Sequence, residues 1–457
     1  MIDKSTATTS LIGLAIAQFL WACTSETVAP APDDRAGRYV TFVADRDELD
    51  HHALYAVDRE GDLVPFELPV DRRDAEPPLT AAEWSPDGRW LVGFGEELLV
   101  MDTDAGLRTH CRAERGAPHW SPNAQWLALH LNASNEVVVL EAQGCAERVR
   151  RSISSLATIV WSPTSDRLAL VEHGTDHETP GNVHVVDLAG PDTTHPLTHT
   201  GSPDVRWSPG GNWLAIGEGG VDADSIWLVT DDGSRIDLDV ASIQGAPQFV
   251  WASEHRLLVR DDVLVAHDVR TGQRTMLGDH YRPAVTPGAM LAFDANTIEV
   301  RPVDGDAIGE PARYAVPFEP NNVRFAGGPW HIIASDTEEL WHLARASGRW
   351  TRIDGASPYP VMAPRTARFL DPEARPAQVE IFDVAGGWHL PLGEGLDGHL
   401  SSVVWSSDRT LAYTFDENVY LAQFDNQGNA AEPLLLHASQ STLRSVYHLG
   451  FQPERKP

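Results

Sequence analysis

The sequence predicts an all-β fold, a β-propeller of four-stranded blades closed by pairing strands from the two chain ends. Three observations predict it. A Trp-Ser-Pro motif recurs at intervals of roughly 40 residues from Trp84 onward. Between the motifs, short apolar runs alternate with turn residues, and long helical periodicity is missing. Each chain end holds an incomplete unit, and the two fragments complement one another. Four short strands in a period of that length mark a propeller blade rather than a helical solenoid.

The composition suits such a fold. In 457 residues, 42% hydrophobic content and 15 Trp supply a core that a disordered acidic chain would lack. Asp plus Glu number 66 against 35 for Lys plus Arg, a net charge of -31. A binder of nucleic acid or of an anionic membrane surface needs a basic face, so both classes are excluded. Lys4 and Lys456 are the only lysines. The other basic side chains are arginines, which favour planar pairing with carboxylates.

Taken from the N-terminus, Leu11 to Ala22 (LIGLAIAQFLWA) is an uncharged, mostly apolar run. It is shorter than the roughly 20 residues a membrane-spanning helix needs. It fits the apolar region of a secretory signal peptide. The residues Leu20-Trp21-Ala22-Cys23 resemble the lipobox of bacterial lipoproteins. That resemblance implies that residues 1–22 are a cleaved signal peptide and that the Cys23 sulfur carries diacylglycerol. Thr24 to Asp34 (TSETVAPAPDD) is polar and Pro-bearing, so 23–37 read as a flexible tether and 38–457 as the propeller. Thr24 stands where lipoproteins retained in the inner membrane often carry Asp. The resemblance therefore implies a cell-envelope protein at the outer membrane, facing periplasm or exterior and touching membrane by its lipid alone.

Four clear copies of the repeat follow: Trp84-Ser85-Pro86-Asp87-Gly88, Trp120-Ser121-Pro122-Asn123, Trp161-Ser162-Pro163-Thr164 and Trp207-Ser208-Pro209-Gly210. Their tryptophans are 36, 41 and 46 residues apart. Degenerate copies begin at Trp251, Val285, Phe325 and Trp405. Pro sets φ for the first turn position, Asp or Asn supports an Asx turn, and Gly tolerates positive φ. Each Trp ends an inner strand and is expected to pack its ring between neighbouring sheets. Third strands follow at Glu136 to Leu140 and Asn182 to Asp187, and more polar fourth strands near Cys145 to Arg150 and His195 to Thr198. The motif resembles the WD40-like repeats of TolB-type propellers, and that resemblance covers most of the chain from about residue 38. It implies a fold and is nearly silent on activity.

Chain closure follows from the ends. Tyr39 to Ala44, Ala53 to Asp58 and Leu63 to Leu68 read as strands two to four of a blade lacking its first. Ser445 to Pro453 reads as a lone first strand, with Phe451-Gln452-Pro453 echoing the motif. Joined, they complete one blade and remove an edge that would invite association. The count is ten units, with seven or eight as the alternative if some blades are wrongly split. No linker divides the repeats, so one propeller is expected.

Signals of chemistry are sparse. No Gly-x-Ser-x-Gly elbow, P-loop or HExxH is present, and no catalytic residue is nominated. Cys111 and Cys145 lie near the outermost strands of adjacent blades. Such strands diverge, and Cα atoms beyond about 7 Å cannot be bridged, so two unpaired thiols are expected. Loops between second and third strands open on one face, and several are acidic. One carries Asp45, Asp47, Asp50 and His51, another His173, Asp176, His177 and Glu178, and a third Asp222 and Asp224. Carboxylates with imidazoles suit Ca²⁺ or Zn²⁺. The bland reading, solvated loops that keep an acidic protein soluble, is preferred, and neither metal nor cofactor is expected.

Two classes of function remain. The first is a non-enzymatic binding or scaffold protein, lipid-anchored in the envelope, whose acidic loops take a protein, peptide or glycan partner. The second is an enzyme, a lyase or glycoside hydrolase, with carboxylates converging in the central channel. The first is preferred, because the fold hosts both and catalytic signatures are missing. A binder should expose an aromatic or charged patch on a face, whereas an enzyme should bury carboxylates towards the channel.

Overall fold

A computed structural model describes residues 38–45, 52–58, 62–64, 66, 79, 81–95, 97–173, 179–200, 203–218, 225–238, 248–260, 263–278, 283–294, 296–326, 328–336, 338–354, 356, 361–362, 368–371, 379–383, 388–392, 400–407, 410–415, 418–424, 434–437 and 446–451. Among these residues every regular element is a strand, and the strands form ten antiparallel sheets. Blades 1 to 9 begin with Ala81–Trp84, Ala117–Trp120, Leu156–Trp161, Asp204–Trp207, Gln248–Trp251, Ala284–Thr286, Asn322–Phe325, Val361–Met362 and Leu400–Ser407. In each blade the strands, A to D from the inside out, pair in chain order. Blade 6 differs: its third strand, Thr297–Asp304, pairs at one end with Ala307–Ile308 and at the other with Ala312–Ala315.

The tenth blade is the splice. Val446–Phe451 pairs with Tyr39–Asp45, which pairs with His52–Asp58. Of the expected fourth strand, Leu63 to Leu68, the described residues show a bridge between Leu63 and Val57 and a hydrogen bond from Val64 N to Ala56 O at 2.8 Å.

Apolar packing closes these sheets into one ring. Strands B and C are covered on both sides by neighbouring blades, so they are apolar almost throughout: Trp90–Phe94 and Leu98–Asp102 are buried at four of five positions each. Outer strands such as Arg108–Ala113 alternate between exposed and half-buried residues. Trp90 and Val92 of blade 1 pack with Trp120 and Leu129 of blade 2, and the same kind of seam joins each following pair. Val40 and Phe42 then pack on Ala412 and Leu421 of blade 9, while Tyr39 and Leu54 pack on Leu91 and Met101 of blade 1. The circuit returns to its start through the splice.

The motif turns are built as their residues suggest. Ser85 is fully buried; its hydroxyl donates to Asp87 Oδ1 at 2.6 Å and accepts from Trp90 N at 2.9 Å. The Asp87 carboxylate also accepts from Arg89 N. Blade 2 repeats this with Ser121, Asn123, Gln125 and Trp126. The left-handed position falls on Gly88 and Gly211 in blades 1 and 4, and on Ala124 and Ser165 in blades 2 and 3. A second regularity spans the seams. The indole N–H of Trp161 donates to His119 O, that of Trp207 to Val160 O and that of Trp251 to Arg206 O, at 2.9 to 3.0 Å. Each acceptor immediately precedes the motif Trp of the preceding blade, so each of these three tryptophans pins its blade to its neighbour.

Blade 4 lacks the turn carboxylate and borrows that of blade 5, which in turn is served by blade 6. Gly210 stands where blade 1 has Asp87, and Glu254 of blade 5 reaches across instead. It accepts from Ser208 Oγ at 3.0 Å, Asn212 Nδ2 at 2.9 Å and the backbone N of Gly210 and Asn212. Asp306 of blade 6 serves blade 5 in turn, accepting from Ser253 Oγ at 2.7 Å and meeting His255 Nδ1 at 2.9 Å.

The expectation of two unpaired thiols is overturned. Cys111 and Cys145 form a disulfide, with a Cα separation of 6.0 Å. Cys145 does not sit on an outer strand. It lies at positive φ in the turn between Glu136–Glu141 and Glu147–Ser152, and that turn leans onto strand D of blade 1, where His110 Nε2 also meets Gln143 O at 3.0 Å.

Candidate functional site

Antiparallel order puts the A–B and C–D turns at one end of the ring and the B–C and D–A connections at the other. The strand ends that flank the acidic loops foreseen from the sequence, at Asp45 and His52, Glu172 and Asn182, and Glu218 and Ser225, lie at the second end. Asp47, Asp50, His51, Asp176, His177, Glu178, Asp222 and Asp224 lie outside the described residues, as does Cys23. Asp45 is the last residue of its strand, paired with His52, rather than part of the loop. His173 is half-buried, its N donating to Ser155 O at 2.8 Å. Among the described residues no three His, Cys, Asp or Glu side chains are grouped to hold a metal ion.

The described acidic feature of this face belongs to blade 7. Glu319, Asn321, Asp336, Glu338 and Glu339 line a depression of about 330 Å³. Asp336 ends strand B's run into the turn, and its Oδ1 accepts from the backbone N of Glu338 and Glu339 at 2.7 and 2.8 Å. Asn321 N donates to Ser335 O at 2.8 Å, which ties the D–A connection to the same strand end. Next to Glu319 in the chain, Phe318 stacks on Trp341, with ring centroids 5.1 Å apart. Glu339 pairs with Arg352 at 2.9 Å, while Glu319 and Glu338 have no partner among the described residues. The depression therefore presents net negative charge.

Beside His173 lies a second polar group. Glu172 accepts from Ser154 N and Oγ, from Asn182 Nδ2 and from His184 Nε2, all within 3.1 Å. Burial works against its ionisation, but the hydrogen bonds from Ser154, Asn182 and His184 outweigh that and hold its pKa at about 2. His184 meets Arg151 and Thr194, and Arg151 pairs with Asp192 at 2.6 Å. This is a fully satisfied network bridging blades 2 and 3.

On the inner strands, the residue before the motif aromatic is apolar in Val160, Val250 and Val404, yet ionisable in Glu83, His119, Arg206 and Arg324. Burial alone pushes the Glu83 carboxyl up to about 8, and burial with neighbouring His130 pushes His119 down to about 4. At neutral pH the carboxyl can thus donate a hydrogen bond or a proton, and the imidazole is neutral. Sequence reading missed both, although their departure from the valine pattern was visible. Next to them, the buried Trp120 indole N–H lacks a partner among the described residues, the one break in the tryptophan girdle of blades 2 to 5. A cleft of about 530 Å³ also separates the outer parts of blades 1 and 2, with Leu129, Leu131 and Leu140 behind a rim of Arg112, Arg115, Glu114 and Glu147.

No protein-family profile matches the chain, and no curated protein matches it. Solved structures do. A eukaryotic initiation factor aligns with a TM-score of 0.53 at 12% identity, covering 92% of this chain and 99% of that one. The WD40 domain of SCAP from fission yeast aligns at 0.38 and 13% identity over 77% and 96% of the two chains. Dipeptidyl peptidase 4 of Porphyromonas gingivalis aligns at 0.46 and 13% identity over 89% and 67%. At these identities the likeness is one of fold alone, and the β-propeller itself is read from the ring of sheets described above.

Proposed function

We propose that this chain is a lipid-anchored cell-envelope propeller that acts as a binding or scaffold protein through its acidic B–C face. The observation that carries the reading is the blade 7 depression, lined by Glu319 and Glu338, whose carboxylates have no partner among the described residues. With a net charge of -31, long-range attraction favours a basic protein or peptide, and salt weakens its approach. The lipobox at Cys23 and the tether of residues 23–37 support attachment at the outer membrane with freedom to reach partners. Affinity purification from native envelope at low and high salt, with wild type and Glu319→Lys/Glu338→Lys, tests this. A partner captured at low salt and lost in the variant is expected; capture indifferent to both changes refutes the acidic-face reading.

A second reading rests on Glu83. A carboxyl held protonated near neutral pH on an innermost strand suits a general acid in a channel-sited lyase or glycosidase. Turnover of a polysaccharide substrate that disappears in Glu83→Gln would establish it, and inactivity of wild type across a glycan substrate panel would remove it.

A further inference from the structure

The seam between blades 1 and 2 is held unlike those that follow it. Across the next three seams the indoles of Trp161, Trp207 and Trp251 donate to carbonyls of the preceding blade, and at the splice Trp84 donates to Thr41 Oγ1 at 3.1 Å. Trp120 holds the corresponding place between blades 1 and 2. It is buried, and its indole N–H has no partner among the described residues. A buried donor left unmade costs stability. The adjoining inner strand adds a second conflict. Glu83 stands opposite Val92, so the two side chains share a face, and Val92 packs in one cluster with Trp120. The Glu83 carboxyl is desolvated there and has no partner among the described residues. Farther out, the same seam widens into the cleft of about 530 Å³ that reaches Leu129, Leu131, Val138 and Leu140.

This seam also carries a covalent tie, the Cys111–Cys145 bridge. The chain has three cysteines, so no second internal disulfide can cross another seam. Beside the bridge, His110 Nε2 meets Gln143 O at 3.0 Å, an exposed contact for which water competes. The bridge joins a strand, Arg108–Ala113, to a turn that keeps its own shape. Glu141 N donates to Ala146 O at 2.9 Å and Cys145 N to Glu141 O at 2.8 Å, so once released the turn moves as a unit. Cys145 lines the cleft, and both cysteines are half-buried, which gives an incoming thiolate a path to the sulfurs.

We infer that the Cys111–Cys145 bridge is a redox latch: its reduction parts the outer strands of blades 1 and 2 and opens the cleft between them, while the other seams stay closed. The co-reactant is a dithiol. One of its thiolates attacks Cys145 Sγ, forming a mixed disulfide and expelling Cys111 as a thiolate that takes up a proton. The second thiol of the reductant then attacks the mixed disulfide and frees Cys145. The bridge gains two electrons and two protons, and the dithiol leaves as its own disulfide. The unmade bond of Trp120 and the unpaired Glu83 lie on the seam that the latch secures, so its loss is felt there first. The acidic depression of blade 7 takes no part, and the binding role proposed above stands or falls separately.

The test compares the full chain oxidised, reduced with dithiothreitol without denaturant, and reoxidised, together with Cys111→Ser/Cys145→Ser. Alkylation counts the thiols, and hydrogen exchange read by mass spectrometry locates the change. Wild type reduced in place is the decisive sample, since it is already folded. We expect two further thiols after reduction and exchange faster by about tenfold or more in Arg108–Ala113 and in residues 141–152, with blades 4 to 7 unchanged. Reoxidation should restore slow exchange, and the serine variant should match the reduced protein. Three results would each overturn the inference: a bridge that dithiothreitol leaves intact in the folded chain, reduction that alters no exchange, or faster exchange spread evenly over all blades.

Discussion

The borrowed carboxylate of blade 4 makes a sharp test of how the ring is held. Glu254→Ala removes the acceptor for Ser208 Oγ, Asn212 Nδ2 and the backbone N of Gly210 and Asn212. Hydrogen bonds to a charged group contribute about 1.5–3 kcal/mol each where water is excluded. Here the Asn212 donors are exposed and water replaces most of their loss. The net expectation is destabilisation by about 2 kcal/mol, carried by Gly210 N and Ser208. Gly210→Asp restores the carboxylate in the position of Asp87. In wild type it destabilises, because a Cβ at Gly210 would lie 2.5 Å from Glu254 Oε2 and a second carboxylate would face the first. In the Glu254→Ala background both conflicts vanish, so the double variant should recover at least half of the lost stability. The assay is a urea-denaturation double-mutant cycle read by circular dichroism. Additive losses would refute the claim that Glu254 performs the role of the missing aspartate.

Other outcomes follow from the charged groups and the disulfide. The Glu83 carboxyl has its pKa raised from 4.5 to about 8, so its contribution is intact below pH 4.5 and is lost as pH rises towards 8. Glu83→Gln should therefore gain in melting temperature relative to wild type between pH 5 and pH 9; a constant difference would refute the burial argument. Glu172 has the opposite sign: its stabilisation is present above pH 4.5 and lost as pH falls towards 2, so Glu172→Gln should be destabilising at pH 7 and converge on wild type in acid melts. Removing the Cys111–Cys145 bridge, which closes a separation of 34 residues, should cost about 3 kcal/mol in urea titrations, and alkylation should add two labels only after reduction.

How much of this was legible in the sequence depends on whether the cause is local. Motif turns such as Ser85-Pro86-Asp87-Gly88 carry their own donors, acceptors and φ preferences, so blade starts and the splice could be read directly. Seams are another matter. Gly210 shows that a carboxylate is missing from its turn, but nothing near it reveals that Glu254, 44 residues on, supplies one. The Cys111–Cys145 bridge was misread because it depends on a left-handed residue in a turn, which places Cys145 off the diverging strand. Acidic residues on the B–C face were foreseen as a class, yet the depression unites Glu319 and Asn321 with Asp336 to Glu339, which are brought together by Asn321 N donating to Ser335 O. The Phe325-Ala326-Gly327-Gly328 copy read as mere degeneracy, yet its turn keeps the backbone bonds of blade 1, with Ala326 N donating to His331 O and Arg345 N to Trp330 O.

The splice has a consequence for biosynthesis. Val40 pairs with Phe451 and Ala44 with Val446, so a strand among the earliest described waits for one among the last. Pairing across such a span has high contact order and is slow to form. Until Val446–Phe451 is made, one edge of Tyr39–Asp45 and the seam with blade 9 have no mate, and the growing ring resembles an open clasp. A product that stops short would keep that clasp open, showing chaperones and proteases the apolar seams of an unfinished chain. Closure thus doubles as a check on synthesis: the molecule hides these adhesive edges only once Val446–Phe451 has been made.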